Sequence, residues 1–163
     1  MNTGFDATTW RYGPLATLFH ELDKPTGTSF GDFEFHADRL RNVSGPVLEP
    51  AVGTGRILMP LLERGLAVRG YDTSAAMPAQ CRVNCARRGL KADVFESDMT
   101  THREPGAYEA ELRIFSLLWF GLAEFTAMLH RAGFTDVTVH GGYRAGIAPT
   151  AADDVWTFEA TRT

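Results

Sequence analysis

A short apolar run that leads into two glycines is the feature that most constrains this chain. The run Val47–Val52 lies between a Gly-Pro pair and Gly53-Thr54-Gly55. Its length, apolar character and flanking breakers predict a buried strand. Apolar residues at helical spacing follow in residues 57–62, and residues 67–72 then predict a second strand that ends in an aspartate. This order of strand, helix and strand predicts a parallel sheet with a right-handed crossover.

The alternation continues and then changes. Residues 74–88 predict a helix with Ser74 at its N-cap and an end at Gly89, and residues 92–95 predict a third strand. Beyond these, the pattern predicts an α/β fold with a parallel N-terminal half and antiparallel C-terminal strands. The remaining predicted elements are helices within 15–22 and 33–43, a strand within 108–117, a helix over 122–132, and strands around 137–139 and 156–160.

Composition and charge limit the partners and the compartment. The chain has 163 residues, which suits one domain, and a net charge of −4, which disfavours a nucleic-acid partner. Its longest apolar stretch falls well short of the roughly 20 residues that a membrane helix needs. The start lacks the basic and apolar parts of a secretory signal. Two cysteines are too few for a disulfide framework. From these features together, we expect a cytoplasmic protein without membrane partners.

The glycines and the aspartate after them indicate a nucleoside ligand. Glycines at a strand-to-helix turn let a ligand approach the backbone, and ligands bind at such strand ends in doubly wound sheets. Asp72 ends the second strand, where a carboxylate can accept hydrogen bonds from both ribose hydroxyls. The dinucleotide fingerprint fails, because the position of its third glycine holds Leu58 or, in the other register, Arg56. The acidic Glu49 before the glycines instead suits a cationic ligand such as S-adenosylmethionine (SAM).

Four motifs in order carry a family resemblance. They are Leu48-Glu49-Pro50-Ala51-Val52-Gly53-Thr54-Gly55-Arg56, then Gly70-Tyr71-Asp72-Thr73-Ser74-Ala75-Ala76-Met77, then Cys81-Arg82, and Ser97-Asp98-Met99. Together they resemble the class I SAM-dependent methyltransferases, specifically the small-molecule branch. The resemblance implies a Rossmann-like methyltransferase fold with SAM as cofactor. Ala51 departs from the family, which usually has its first glycine there.

The resemblance also implies roles for individual residues. The acidic residue before the glycines and the loop after it would hold the methionyl part of SAM, and Asp72 would bind the ribose. Asp98 would contact the adenine amino group, with Met99 beside it, and Met77 would pack on the adenine ring. The complete set of implied cofactor residues is Glu49, Ala51, Gly53, Thr54, Gly55, Asp72, Thr73, Met77, Asp98 and Met99.

The catalytic residue and the role of the cysteines stay open at this point. The resemblance makes the N-terminal region a lid over the cofactor, so Tyr12, His20 and His36 are candidates for a general base. A lone residue of this kind is more often an ordinary surface or core residue, so both interpretations stay open. Cys81 and Cys85 share a helical face, but they lack further ligands at metal-site spacing and are interpreted as structural thiols, with no metal expected.

The chain is shorter than the family fold requires. Only residues 99–107 separate the third strand region from the next predicted strand, and a single βαβ unit takes about 30 residues. We therefore expect that the fourth and fifth strands of the family are deleted and that residues 1–163 still form a single domain. Its parts would be a helical lid (1–45), a cofactor-binding βαβαβ segment (46–98) and a C-terminal segment (108–163).

The missing segment predicts a dimer. Without a fourth strand, the first strand becomes an apolar sheet edge, which the strand within 108–117, the C-terminal pair of strands or a partner must cover. Seven residues would then be partly exposed: Val47, Leu48, Val52, Ile57, Leu58, Leu61 and Leu62. We expect a homodimer, in one version with exchanged C-terminal segments that bring His140 or Tyr143 to the partner's cofactor. Closure of the edge within one chain is the alternative.

Three functions remain open on the sequence alone. The first is methyl transfer from SAM to a small-molecule acceptor by in-line displacement. The second is a SAM-binding pseudoenzyme or partner subunit that lost catalysis with its central segment. The third is a different SAM-dependent reaction on the same fold.

Overall fold

The computed structural model describes residues 11–99, 101–104, 110–111, 122–150, 152–153 and 155–162. Within these ranges the chain forms two compact units, one of residues 11–29 and 39–111 and the other of residues 30–38 and 122–162. The first unit holds α1 (Pro14–Asp23), β1 (Val47–Pro50), α3 (Leu58–Glu63), β2 (Val68–Asp72), α4 (Ala76–Arg87), β3 (Asp93–Glu96) and β4 (Ala110–Glu111). The second holds α2 (Asp32–Arg39) apart from its last residue, α5 (Leu122–Arg131), β5 (Phe134–Gly141) and β6 (Trp156–Arg162).

The first unit is built on a four-stranded sheet with the order β3-β2-β1-β4. Every neighbouring pair is parallel; Val47, for example, pairs with Val68 of β2 on one side and with Ala110 of β4 on the other. The parallel N-terminal half predicted from the sequence is therefore confirmed. Because parallel strands end at the same edge, the residues that follow β1, β2 and β3 come close together.

The position of β4 corrects one expectation. A strand was predicted within residues 108–117 as part of an antiparallel C-terminal half. Among the described residues it covers only Ala110–Glu111, and it runs parallel to β1. It therefore occupies the place beside β1 that the family resemblance assigned to the missing fourth strand. Residues 105–109 and 112–121, which contain the rest of the predicted strand, lie outside the described residues.

The expectation of an exposed first strand is wrong. All four residues of β1 are buried, and Val47 is 0% and Leu48 2% exposed. Of the seven side chains expected to be partly wet, six are buried in the single chain and Leu62 is half-buried. The apolar edge that argued for a homodimer is thus already covered within one chain.

Helix boundaries follow local chemistry, with one exception. α3 begins at Leu58, so Pro60 lies in its first turn, where a missing N–H removes no helical hydrogen bond. Gly65, just past the helix end, has a φ of 81° that suits glycine. Ser74 is not the N-cap of α4 as predicted; that position is Ala75, without a side-chain cap.

The second unit contains an antiparallel strand pair. β5 pairs with β6 from Phe134 opposite Arg162 to Gly141 opposite Trp156, with a register irregularity between Thr135 and Thr138. This pairing confirms the antiparallel C-terminal strands of the sequence prediction. α5 contacts β5, and Phe125 of α5 packs edge-on against Phe158 of β6 with ring centroids 4.7 Å apart.

None of the helices in the described part of the chain combines the length and the apolar character that crossing a membrane requires.

Candidate functional site

The loop 51–57 between β1 and α3, which we call the glycine loop, has an unusual backbone. Ala51, Gly53 and Gly55 have φ angles of 56°, 55° and 92°, all in the left-handed region. Glycine takes such angles at no steric cost, whereas alanine pays about 1–2 kcal/mol. The residue that departs from the family pattern, Ala51, is therefore also the one residue of this loop that takes a glycine-like φ with a side chain.

The two glycines of the loop have different surroundings. A Cβ on Gly55 would lie 2.6 Å from the Sγ of buried Cys81, well inside van der Waals contact. A Cβ on Gly53 would meet nothing closer than His20 Nε2, at 3.8 Å. Gly55 is thus needed for packing of the loop on α4, whereas a side chain at position 53 would make an ordinary contact with His20.

Asp72, the last residue of β2, connects the ends of the first two strands. Its Oδ2 accepts a hydrogen bond from the Gly53 amide at 3.2 Å, and its Oδ1 accepts one from the Ser74 amide at 2.9 Å. Burial raises the pKa of Asp72, and the hydrogen bonds from Ser74 and Gly53 oppose that rise. A carboxylate has about four lone-pair sites, so these two amides leave capacity for two hydroxyl donors.

Two of the predicted catalytic residues lie at this loop. The backbone amide of Tyr12 donates to Ser74 Oγ at 2.9 Å, and the Tyr12 ring meets the His20 ring edge-on at 5.7 Å. Burial, with a smaller contribution from Lys24, lowers the pKa of His20, although Asp23 and Asp72 act in the opposite direction. The neutral imidazole is thus favoured near neutral pH, which is the form that accepts a proton.

The other predicted cofactor residues differ in accessibility. Glu49 and Met77 are buried, at 1% and 2% exposure. Burial raises the pKa of Cys81, and smaller electrostatic contributions from Cys85 and Glu49 act in the same direction. The backbone carbonyl of Asp98 accepts bonds from the Thr101 and His102 amides. Thr54 and Gly55 are also buried, whereas Ala51, Gly53, Asp72, Thr73, Asp98 and Met99 are half-buried.

Asn84 is a site residue that the sequence interpretation missed. It lies on α4, is buried, and donates from Nδ2 to the Thr54 carbonyl oxygen at 3.1 Å and to Glu21 Oε1 of α1. Its Oδ1 accepts a bond from Gln80 Nε2 at 3.0 Å. The available signal was a polar residue one turn after Cys81, on a helix face otherwise interpreted as structural.

The three remaining catalytic candidates lie in the second unit. His36 and Tyr143 have ring centroids 6.3 Å apart, and His140 packs against Phe35 at 5.7 Å. Both nitrogens of His140 are engaged: Nδ1 accepts from the Gly146 amide at 3.1 Å, so Nε2 carries the proton towards Glu159 at 2.6 Å. This arrangement favours a packing role for His140 over proton abstraction.

The two cysteines of α4 bear on both thiol and metal chemistry. Cys81 and Cys85 are free and buried, and burial is the main cause that raises the pKa of both thiols. Such thiols are poor nucleophiles, as the structural interpretation expected. Within the described ranges no group of three or more His, Cys, Asp or Glu residues is placed to hold a metal ion.

Comparison with known proteins identifies related sequences and folds. The methyltransferase domain family matches residues 47–139, more than half of the chain. A stretch of 67 residues is 36% identical to the 23S rRNA (uracil(1939)-C(5))-methyltransferase RlmD of Nitrosospira multiformis, covering 37% of this chain and 15% of that protein. The chain thus spans less than a fifth of the length of this curated relative.

Two solved methyltransferase structures resemble this chain to different extents. A TehB-like SAM-dependent methyltransferase from Corynebacterium glutamicum superposes with a TM-score of 0.66 at 12% identity, covering 90% of this chain and 94% of that one. The glycopeptide N-methyltransferase MtfA is 27% identical over 58% of this chain and 44% of its own, with a TM-score of 0.46. The first of these matches shows that a solved fold of this kind can be covered almost completely by so short a chain.

Proposed function

The chain belongs to the methyltransferase domain family of SAM-dependent enzymes, and we propose that it transfers a methyl group from SAM to a small-molecule acceptor. The observation that carries the proposal is the Asp72 carboxylate, which accepts the Gly53 amide of the glycine loop and keeps acceptor capacity for a ribose. A net charge of −4 supports a small acceptor over a polyanion.

We assign the binding roles by matching residues to the parts of SAM. Asp72 would accept the ribose hydroxyls, while Glu49 and the glycine loop would hold the methionyl part. Asp98, Met99 and Met77 would line the adenine, and the half-buried Thr73 lies beside the ribose-binding carboxylate in sequence. Met77 and Glu49 are closed off from solvent, so their contact with SAM would require local adjustment of the loop.

The reaction needs a positioned acceptor and, for a protonated nucleophile, a base. SAM supplies a methyl group on a cationic sulfur, which is displaced in line by the acceptor atom. We assign the base to His20, since its lowered pKa favours the neutral imidazole and its Nε2 lies 3.8 Å from the place of a Cβ on Gly53. Tyr12, whose ring packs on His20, would orient that imidazole.

Binding of SAM tests the proposal most directly. Asp72→Asn keeps one acceptor oxygen and removes the charge, and we expect SAM affinity to fall by about 1–3 kcal/mol because bound hydroxyls lose acceptors. Calorimetry with SAM and with NAD measures this, and wild-type protein should bind one SAM per chain and no NAD. Unchanged SAM affinity in the variant would remove Asp72 from the site.

Turnover separates the enzyme from a binding subunit. The short segment between Asp98 and β4 is the observation that supports a binding subunit. It leaves less chain for the wall that the family builds beside the transferred methyl group. Incubation with methyl-labelled SAM and candidate acceptors should give labelled product, and His20→Gln should lower the rate by about 10²-fold or more while SAM still binds. A chain that binds SAM but labels no acceptor is a binding subunit, and a product without added methyl indicates a different SAM reaction.

The oligomeric state is a separate proposal. The predicted homodimer rested on an exposed β1, whereas Val47 and Leu48 of that strand are buried in a single chain. Light scattering at micromolar concentration decides the matter: a 17.9 kDa species means that the chain closes its own sheet edge.

A further inference from the structure

Asn84 connects two parts of the first unit that are distant in sequence. Its Nδ2 donates to Glu21 Oε1, 63 residues away on α1, and to the Thr54 carbonyl oxygen, 30 residues away in the glycine loop. A carboxylate and a carbonyl can only accept hydrogen bonds, so the side-chain amide must present its NH₂ group to both. Its oxygen then faces Gln80 Nε2, which donates to it at 3.0 Å. The three bonds are consistent with one orientation of the amide.

We infer that Asn84 is a positioning residue that fastens α1 to the glycine loop and so holds His20 beside Gly53. His20 precedes Glu21 on α1, and its Nε2 lies 3.8 Å from the place of a Cβ on Gly53. The same amide fixes the Thr54 carbonyl, in the peptide unit between the two loop glycines. This inference rests on the proposed SAM site, since it explains how the chain keeps that site ordered.

Burial makes this connection more than a surface contact. Asn84 is 9% exposed and Thr54 2% exposed, so a broken bond leaves a polar group without water as a substitute partner. The bond to Glu21 is also charge-assisted, and bonds of this kind are stronger than neutral ones. Loss of the NH₂ group should therefore release α1 and the loop together.

Asn84→Asp is the sharpest single variant. It is isosteric and keeps the acceptor for Gln80, but it places a carboxylate against the Glu21 carboxylate and the Thr54 carbonyl. We expect SAM affinity to fall at least about tenfold and amide hydrogen exchange in α1 to accelerate by a similar factor. Arg88→Gln, which breaks the exposed ion pair with Glu63 at the end of α4, is the control and should change neither.

A paired exchange separates the two connections. Glu21→Gln combined with Asn84→Asp restores an amide–carboxylate bond between α1 and α4 in the opposite sense, while the Thr54 carbonyl still faces a carboxylate. We expect exchange protection of α1 to return and SAM affinity to stay below wild type. Equal recovery of both would mean that the loop does not depend on the Thr54 bond, which contradicts that half of the inference.

The two readouts distinguish this inference from the proposed function. If wild-type protein fails to bind SAM, the proposed function is wrong, and hydrogen exchange in α1 still decides whether Asn84 fastens the helix. If wild-type protein binds SAM but Asn84→Asp binds it equally well with unchanged α1 exchange, the positioning role is wrong. A fall in thermal stability without either change would also contradict it, because it would indicate packing alone.

Discussion

The strand β1 in the parallel-sheet unit buries all four of its residues, whereas the helix α5 in the C-terminal unit has none that is buried. The first unit places apolar side chains of β1, β2, α3 and α4 in a common core. In the described part of residues 122–162, only His140 and Gly141 are buried. The chain thus orders its parallel sheet by hydrophobic packing and residues 122–162 mainly by strand pairing and ring contacts.

Matched leucine truncations on two helices test the comparison most severely. Leu58→Ala on α3 removes a fully buried side chain, and we expect a loss of about 3–4 kcal/mol in the free energy of unfolding. Leu129→Ala on α5 truncates a half-buried side chain and should cost about 1 kcal/mol. Urea denaturation of both variants gives the values. Similar losses would show that the C-terminal unit has a core as important as the first.

The two glycines of the loop differ in the same way, one facing the packed core and one facing the proposed site. Gly55→Ala combines a φ of 92° with a clash against Cys81, so we expect a loss of about 2–3 kcal/mol in stability. Gly53→Ala should cost about 1 kcal/mol, because its Cβ meets only His20 Nε2 at 3.8 Å, and it should weaken SAM binding more, because position 53 lies at the proposed methionyl site. Circular dichroism melts and calorimetry separate the two effects. A Gly55 variant that folds normally but fails to bind SAM would reverse the assignment.

The effect expected for a side chain at position 55 differs from the effect that the sequence alone predicts. On sequence alone, Gly55→Val would block the cofactor and leave the fold intact, because both glycines belong to one ligand-binding pattern. The contact with Cys81 could not be foreseen, since it depends on how closely α4 packs against the loop. A side chain at position 55 therefore disturbs the core before it meets a ligand.

Ala51 offers a smaller effect of opposite sign. Its φ of 56° is strained for a residue with a side chain, so Ala51→Gly should raise the free energy of unfolding by about 0.5–1 kcal/mol. The control is Ala79→Gly on the exposed side of α4, where glycine should lower it by about the same amount. Two denaturation curves decide, and equal destabilisation by both variants would show that the loop relaxes around Ala51.

The weakest expected effect is the pH dependence contributed by His20. Its folded pKa lies below the ordinary value, mainly because of burial, so the unfolded chain binds this proton at higher pH than the folded one. Stability contributed by the neutral imidazole is present above about pH 6.5 and is lost as the pH falls below it. His20→Gln should flatten the fall in stability that occurs as the pH drops below about 6.5. An unchanged slope would mean that His20 titrates alike in both states.

The secondary structure was largely predictable from local patterns. Apolar runs flanked by glycine and proline located β1 and β2 within two residues, and the apolar stripe of residues 122–132 located α5. A strand was predicted around β4, within residues 108–117, but local pattern could not choose its parallel partner β1, because the pairing is set by the sheet. The same tertiary closure made the predicted exposure of β1 wrong.

The site was predictable only where backbone chemistry limits the residue type. The positions of the two loop glycines and of the aspartate at the end of β2 could be predicted from residue type alone. Asp72 accepts a hydrogen bond from the glycine loop, as that prediction requires. Asn84 was missed, because its hydrogen bonds to α1 and to the glycine loop join residues distant in sequence. The bond from the Tyr12 amide to Ser74 Oγ likewise joins residues that lie 62 positions apart. Local pattern carries no information about such contacts.

The packing of Cys81 beneath Gly55 gives the protein an internal reporter. A buried thiol of raised pKa reacts with an alkylating reagent only when the structure around it opens, so its labelling rate measures the population of the opened loop. A ligand that holds the loop closed should slow labelling in proportion to its occupancy. Candidate ligands could then be ranked by the protection of one sulfur atom, before any acceptor or product is known.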